Sequence, residues 1–243
     1  MKFSEFRKLR ALSSESICAG MLADNRDRIR IKKDDVAVKN LTRIMDGVLE
    51  LSARKGFSAM SLRDLSRETG LSMGALYSYF AGKDELLDMI QRQGTKVVGE
   101  LLAEAASRPA PPRDRLREVV YTHLYLSEML QSWFYFSFME AKGLGREQLK
   151  KAIETELYTE SIIEEILSDG ARSGDFASID VPMTSAAVKA LLQDWYLKRW
   201  KYSGRGVTVE QYARFMIDLV ESYILKKRRK VPARPAAPVR RKK

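Results

Sequence analysis

Apolar positions recur at spacings of three and four through most of the chain, and no strong alternating stretch or Asn-Gly or Asp-Gly hairpin signal interrupts them. The pattern predicts an all-α protein. A first long helix begins at a cap on Asp34 or Asp35, carries Leu41, Ile44, Met45, Val48 and Leu51 on one face, and ends at Lys55-Gly56. Phe57 is expected to insert among the helices of this region. Ser61 caps a second helix with Asp64 at the reciprocal position, Leu62 and Leu65 face inward, and Gly70 ends it. Ser72 caps a third, expected over Met73 to Phe80, with Leu76 and Phe80 on its inner face. Gly82 breaks the chain again. Lys83 opens a fourth helix with Asp84 and Glu85 in its first turn, where the helix dipole favours acids. Its stripe of Leu86, Leu87, Ile90, Val97, Leu101 and Leu102 leads out of this region.

Beyond the break at Ser107 to Pro112, the pattern predicts a helix from about Arg113 to Leu130. The stretch from Gln131 to Met139 holds Trp133, Phe134, Phe136 and Phe138, too many large apolar rings for one helical face. It must be buried on more than one side or line a cavity. Gly143-Leu144-Gly145 ends it, and Arg146 to Ser168 forms the next helix, stopped by Asp169-Gly170. Val181-Pro182 reads as a loop. Two long helices follow, from about Thr184 to Tyr202 and from about Val209 to Lys226, joined by a Gly-rich turn with Thr208 as cap. Their large apolar faces suit either one half of a four-helix dimer interface or burial within the monomer.

The net charge of +11 is unevenly placed. Residues 1–96 hold 18 Lys+Arg against 13 Asp+Glu, residues 97–225 hold 15 against 19, and residues 226–243 hold 10 against none. A basic head, a mildly acidic body and a basic Pro/Ala-containing tail (227–243) fit a head that meets nucleic acid and a body with another task. The tail reads as disordered by composition, either drawn to DNA or simply solvated. Residues 1–35 precede the head. There Phe3, Phe6, Leu9 and Leu12 suggest a short amphipathic helix. The cation-rich run from Arg26 to Lys33 is either an arm that adds DNA contacts or a leader packed on the head or left in solvent.

The second and third helices of the head (36–96) have the form of a helix-turn-helix. Gly74 and Ala75 let a backbone approach base edges, with Met73 and Ser78 beside them. Ser61, Arg63, Tyr77, Tyr79 and Lys83 are candidate phosphate contacts, and Ser72 caps the reading helix. The run Ser72-Met73-Gly74-Ala75-Leu76-Tyr77-Ser78-Tyr79-Phe80 with Lys83 and Leu86, preceded by Gly56-Phe57 and Ser61-Leu62-Arg63-Asp64-Leu65, resembles the DNA-binding signature of TetR-family transcriptional regulators. The specific resemblance covers about residues 39 to 90. It implies a three-helix helix-turn-helix head on a larger helical body (97–226). The resemblance further implies that this body dimerises through its last two helices and binds a small effector that releases double-stranded DNA.

Catalytic chemistry finds little support. His123 is the only histidine and Cys18 the only cysteine, so multi-histidine metal sites and an intrachain disulfide are excluded, and no phosphate-cradling glycine loop is present. No cofactor or metal is expected. Cys18 reads as a small apolar filler. No apolar run is long enough for a membrane span and the first residues lack a signal-peptide core, so the expected location is the cytoplasm. The candidate effector lining is His123, Tyr125, Met129, Trp133, Phe134, Phe136, Trp195 and Tyr196, with Arg199 or Lys198 to meet an anionic group. Such a set suits an apolar or aromatic ligand with one polar anchor, an acyl or aromatic thioester included. The expectation is a homodimeric repressor released from an inverted-repeat operator. The other reading is a DNA-binding protein without effector whose body contacts a protein partner.

Overall fold

The computed structural model describes residues 2–140 and 146–225. Among these residues the regular structure is helical: α1 (Phe3–Arg10), α2 (Ser14–Asp24), α3 (Asp34–Lys55), α4 (Leu62–Thr69), α5 (Met73–Leu76), α6 (Lys83–Ala106), α7 (Pro112–Met129), α8 (Gln131–Glu140), α9 (Arg146–Ser173), α10 (Val181–Leu197), α11 (Arg199–Gly204) and α12 (Val209–Ile224). The Gly143-Leu144-Gly145 break and the basic tail lie outside the described residues.

Two apolar cores divide the chain. The head core joins Leu41, Ile44 and Val48 of α3, Leu65 of α4, Leu76, Phe80, and Leu86 and Ile90 of α6. The body core joins α7, α9, α10 and α12 around Leu124, Ile163, Leu192 and Met216. Helix α6 contributes to both, with Val98 and Leu102 in the body, and so links them.

The N-terminal residues are more structured than a leader. Phe6 of α1 is buried in the body core against Tyr125, with ring centroids 5.4 Å apart. In α2, Ile17, Cys18, Met21 and Leu22 enter the head core. Cys18 is fully buried, and burial pushes its thiol up to about 11, so it is an inert filler as its surroundings require. The expected amphipathic stripe of α1 holds only in part, because Leu9 is 68% exposed.

Four boundaries differ from the periodicity. The reading helix is one turn, Met73–Leu76, and the chain then turns through Tyr77 to bury Tyr79 and Phe80. Helix α9 runs through Asp169-Gly170 to Ser173, since the space left by the missing Cβ of Gly170 holds the Phe176 ring. Val181-Pro182 opens α10, where the Asp180 side chain accepts from the Met183 N–H and proline suits the first turn. The helix expected to reach Tyr202 breaks at Lys198, giving α10 and α11.

Candidate functional site

The first site is the exposed face of α4 and α5. Ser61 accepts from the Asp64 N–H at 3.1 Å, and its own N–H and hydroxyl donate to the Asp64 carboxylate at 2.9 and 2.7 Å. Lys55 closes on the same carboxylate at 2.6 Å. These contacts, Lys55 first, hold Asp64 well below the usual carboxylate range. Gly70 takes the left-handed conformation, φ 66°, that turns the chain into Ser72. Arg43 donates to the Thr69 carbonyl and fixes α4 on α3. Ser72 caps α5 by accepting from the Ala75 N–H at 3.2 Å.

Above α5 the surface is open. A Cβ built on Gly74 would find nothing nearer than the Ser72 hydroxyl at 4.0 Å. Arg63 is exposed and Tyr77 is 48% exposed, while Met73 packs partly on the head core. The Ser78 hydroxyl donates to the Gly74 carbonyl at 3.1 Å. The backbone of α5 can therefore approach base edges, with Arg63 and Tyr77 free to reach phosphates.

Two expected phosphate contacts are elsewhere. Tyr79 is buried, and its hydroxyl accepts from the Asn40 side chain at 2.9 Å. Its alternation with Tyr77 across the turn puts one ring outside and one inside. The Lys83 ammonium donates to the carbonyls of Phe57, Ser58 and Met60 at 2.7, 3.0 and 2.8 Å, which uses all three of its hydrogens. Lys83 closes the α3–α4 connection.

The second site is a cavity of about 830 Å³ among α6, α7, α8, α9 and α10, within the range of small-molecule sites. Of the expected lining, His123, Trp133, Phe134 and Tyr196 are in its wall. Phe134 stands at the centre of an aromatic chain, 5.5 Å from His123, 5.1 Å from Trp133 and 5.2 Å from Tyr196 between ring centroids. Trp133 seats over Gly94 of α6, where any Cβ would fall 2.0 Å from the indole, and donates to the Ile90 carbonyl at 3.3 Å.

The other expected residues are not in this wall. Tyr125 packs against Phe3, Phe6 and Tyr121 in the body core. Met129 packs on that core, and Phe136 belongs to the head core. Trp195 lies among Tyr202 and Tyr212 and donates to Glu128 at 3.0 Å. Arg199 makes a two-pronged bond to Glu128 at 2.9 and 3.0 Å and covers Trp195, so its charge is structural. Lys198 pairs with Asp194.

The buried cation of the cavity wall is instead Lys189 of α10, whose side chain is only 7% exposed. It donates to the Thr159 hydroxyl and lies 3.3 Å from Glu156. Its sequence signal was a single cation within Ala186-Ala187-Val188-Lys189-Ala190-Leu191-Leu192. Burial lowers its pKa, opposed by Glu156. Burial, then the nearby Lys189 charge, holds His123 well below its ordinary value, so the imidazole is neutral. His123 Nδ1, Gln93 Oε1 and Ser137 Oγ are buried without a hydrogen-bond partner, and all three residues belong to the wall. Asp24 and Asn25, at the end of α2, also line the cavity, Asp24 bound to Lys96 at 2.8 Å.

The family model for bacterial regulatory proteins of the tetR family matches residues 44–90, the span of α3 through the start of α6 that builds the first site. That for the tetracyclin repressor-like C-terminal domain matches residues 109–224. The chain belongs to the TetR family. It is a DNA-binding transcriptional regulator and not an enzyme. The HTH-type transcriptional repressor KstR2 of Rhodococcus jostii is 25% identical over 199 residues, covering 77% of this chain and 93% of that protein. The TetR-family regulator PfmR of Thermus thermophilus is 28% identical with a TM-score of 0.67, over 74% of this chain and 98% of its own. FadR of Bacillus subtilis, solved in complex with stearoyl-CoA, shares the fold at 17% identity and a TM-score of 0.59, over 73% and 96% of the two chains. No helix among the described residues is long and apolar enough to cross a membrane.

Proposed function

We propose that this TetR-family regulator is a cytoplasmic homodimeric repressor, released from an inverted-repeat operator when an apolar effector enters the cavity. The observation that carries this reading is the juxtaposition of an aromatic wall with three orphaned polar atoms, those of Gln93, His123 and Ser137. An apolar core would not retain them without a partner. The effector is an acyl or aromatic group bearing a carbonyl. Its body lies against Trp133, Phe134 and Tyr196, and its carbonyl accepts from the Ser137 hydroxyl or the neutral His123 imidazole, since Lys189 is already balanced by Glu156; Gln93 Oε1 only accepts and is left for an N–H of the ligand. Arg92 and Lys96 at the cavity edge pair with Asp88 and Asp24 at 2.9 and 2.8 Å, half-exposed pairs for which the phosphates of a thioester carrier would compete. The stearoyl-CoA complex of FadR is consistent with that class.

DNA reading falls to Met73, Gly74, Ala75 and Ser78, with phosphate contacts at Arg63 and Tyr77. For the dimer, Phe215, Leu219 and Tyr223 form an exposed stripe at four-residue spacing on α12, 65%, 47% and 61% exposed. Trp200 of α11 and Met183 of α10 are exposed as well. A hydrophobic face of this kind suits a second copy, and two heads would read two half-sites.

A thermal-shift screen with acyl-CoA and aryl-CoA thioesters and their free acids tests the effector class. Stabilisation by a CoA thioester is the expected result. No stabilisation by any of them, with operator binding that none weakens, would favour a body that contacts a protein partner instead.

A further inference from the structure

The segment between α2 and α3 is strongly basic and lies ordered on the head. It holds five cations, Arg26, Arg28, Arg30, Lys32 and Lys33, and one acid, Asp27. Three interactions fix it on the head. The Arg30 N–H donates to the Ser78 carbonyl, in the turn that closes α5, at 2.9 Å. Ile29 is buried in the head core. The Arg26 guanidinium folds back onto the carbonyls of Ile31 and Lys32 at 2.7 and 3.1 Å.

The cations divide by role. Arg26 clips the segment and pairs with Asp34 at 3.3 Å, and Arg28 pairs with Glu85 at 3.2 Å. Arg30, Lys32 and Lys33 are exposed and have no ion-pair partner among the described residues. An ordered backbone thus carries three exposed like charges beside the turn that presents Gly74 and Tyr77, a placement that favours a polyanion on that side.

We propose that Arg30, Lys32 and Lys33 form a second DNA-contact element that grips the phosphate backbone flanking the groove entered by α5. The inference rests on the reading of α4 and α5 as the DNA-binding unit and extends it to a surface outside the helix-turn-helix. The grip is independent of base sequence. It sets affinity and the register of α5, while base choice stays with the residues around Gly74.

The test is the salt dependence of binding by the full chain to a labelled duplex, read by fluorescence anisotropy for the parent, the charge-removing variant R30Q/K32Q/K33Q and the charge-keeping variant R30K/K32R/K33R. For every phosphate grip removed, the slope of log K against log salt should become shallower by about 0.9, and binding should weaken about fivefold near ~0.15 M salt. The glutamine variant should show this on selected and scrambled duplexes alike, with an unchanged melting temperature, and the charge-keeping variant should match the parent. A glutamine variant with the parent's slope overturns the proposal. A parent that binds no duplex overturns the DNA-binding reading beneath it, so the two failures are distinct.

Discussion

Phe136 of α8 sets its ring edge-on to Phe57 of the head, with centroids 5.8 Å apart. In the same helix Trp133, Phe134 and Ser137 line the cavity, and Glu140 accepts from the Phe57 N–H at 3.0 Å. Phe57 is also held by Lys83 at the start of α6, through its carbonyl and with the ammonium 4.7 Å from its ring centre. Both α6 and α8, which wall the cavity, therefore converge on one residue of the α3–α4 connection. Under the proposed ligand release, a displacement of α8 or α6 would be passed to the reading unit through Phe57. Phe136→Leu keeps an apolar contact but loses the edge-on geometry. It should leave ligand-induced stabilisation in place and reduce the ligand's effect on DNA affinity several-fold. Comparing the melting shift with anisotropy on labelled DNA checks this. Equal loss of both would place Phe136 in binding rather than coupling.

Gly74 and Lys83 separate contact with DNA from support of the head. Gly74→Leu places a side chain in open space, so the melting temperature should hold while affinity for a selected duplex falls tenfold or more, about 1.4 kcal/mol. Lys83→Met leaves three carbonyls without their donor and should cost roughly 1–3 kcal/mol of stability. Its slope of log K against log salt should match the parent's. A shallower slope would return Lys83 to the phosphate contacts.

Gly94 is the seat of Trp133. Valine there would drive its Cβ into the indole, 2.0 Å away, and force the ring into the cavity. The expected destabilisation is about 1–3 kcal/mol, with loss of ligand-induced stabilisation. Denaturant melts with and without a stabilising thioester read both.

His123 makes stability depend on pH. In the folded chain burial keeps the imidazole neutral well below its ordinary value of 6.5, whereas the unfolded chain takes up a proton as pH falls through that value. The unfolded state then binds more protons, so this group's contribution is full above about 6.5 and is lost as pH falls below it, by at most about 1.4 kcal/mol per unit. His123→Gln should flatten the difference between chemical denaturation at neutral and mildly acid pH. An unchanged pH slope would count against a buried neutral imidazole.

The head was legible because its signals are local. Ser61 with Asp64, Gly70 and Ser72 each specify backbone geometry within four residues, and the structure places α4 and α5 on them. The capping box of Thr208 likewise marked α12. The failures depend on distant neighbours. Gly170 looked like a stop until Phe176 filled its vacant side, and Tyr79 looked like a surface donor until the turn after Leu76 carried it to Asn40. In the body, every candidate aromatic was apolar and helical, and nothing in its spacing distinguishes a cavity wall from a core. Tyr125 went to Phe3 and Phe6, Trp195 to Tyr202 and Tyr212, and Phe136 to the head. Lys189 is the counter-case, a cation out of place in an apolar run, whose burial the cavity explains.

The most direct test of a ligand-released repressor titrates one stabilising thioester into the protein and into its complex with a labelled duplex selected from a random pool. The expected result is an approximate inverted repeat among the selected sequences, and anisotropy that falls over the same concentrations that raise the melting temperature. A thioester that stabilises the protein while the duplex stays bound would contradict ligand release.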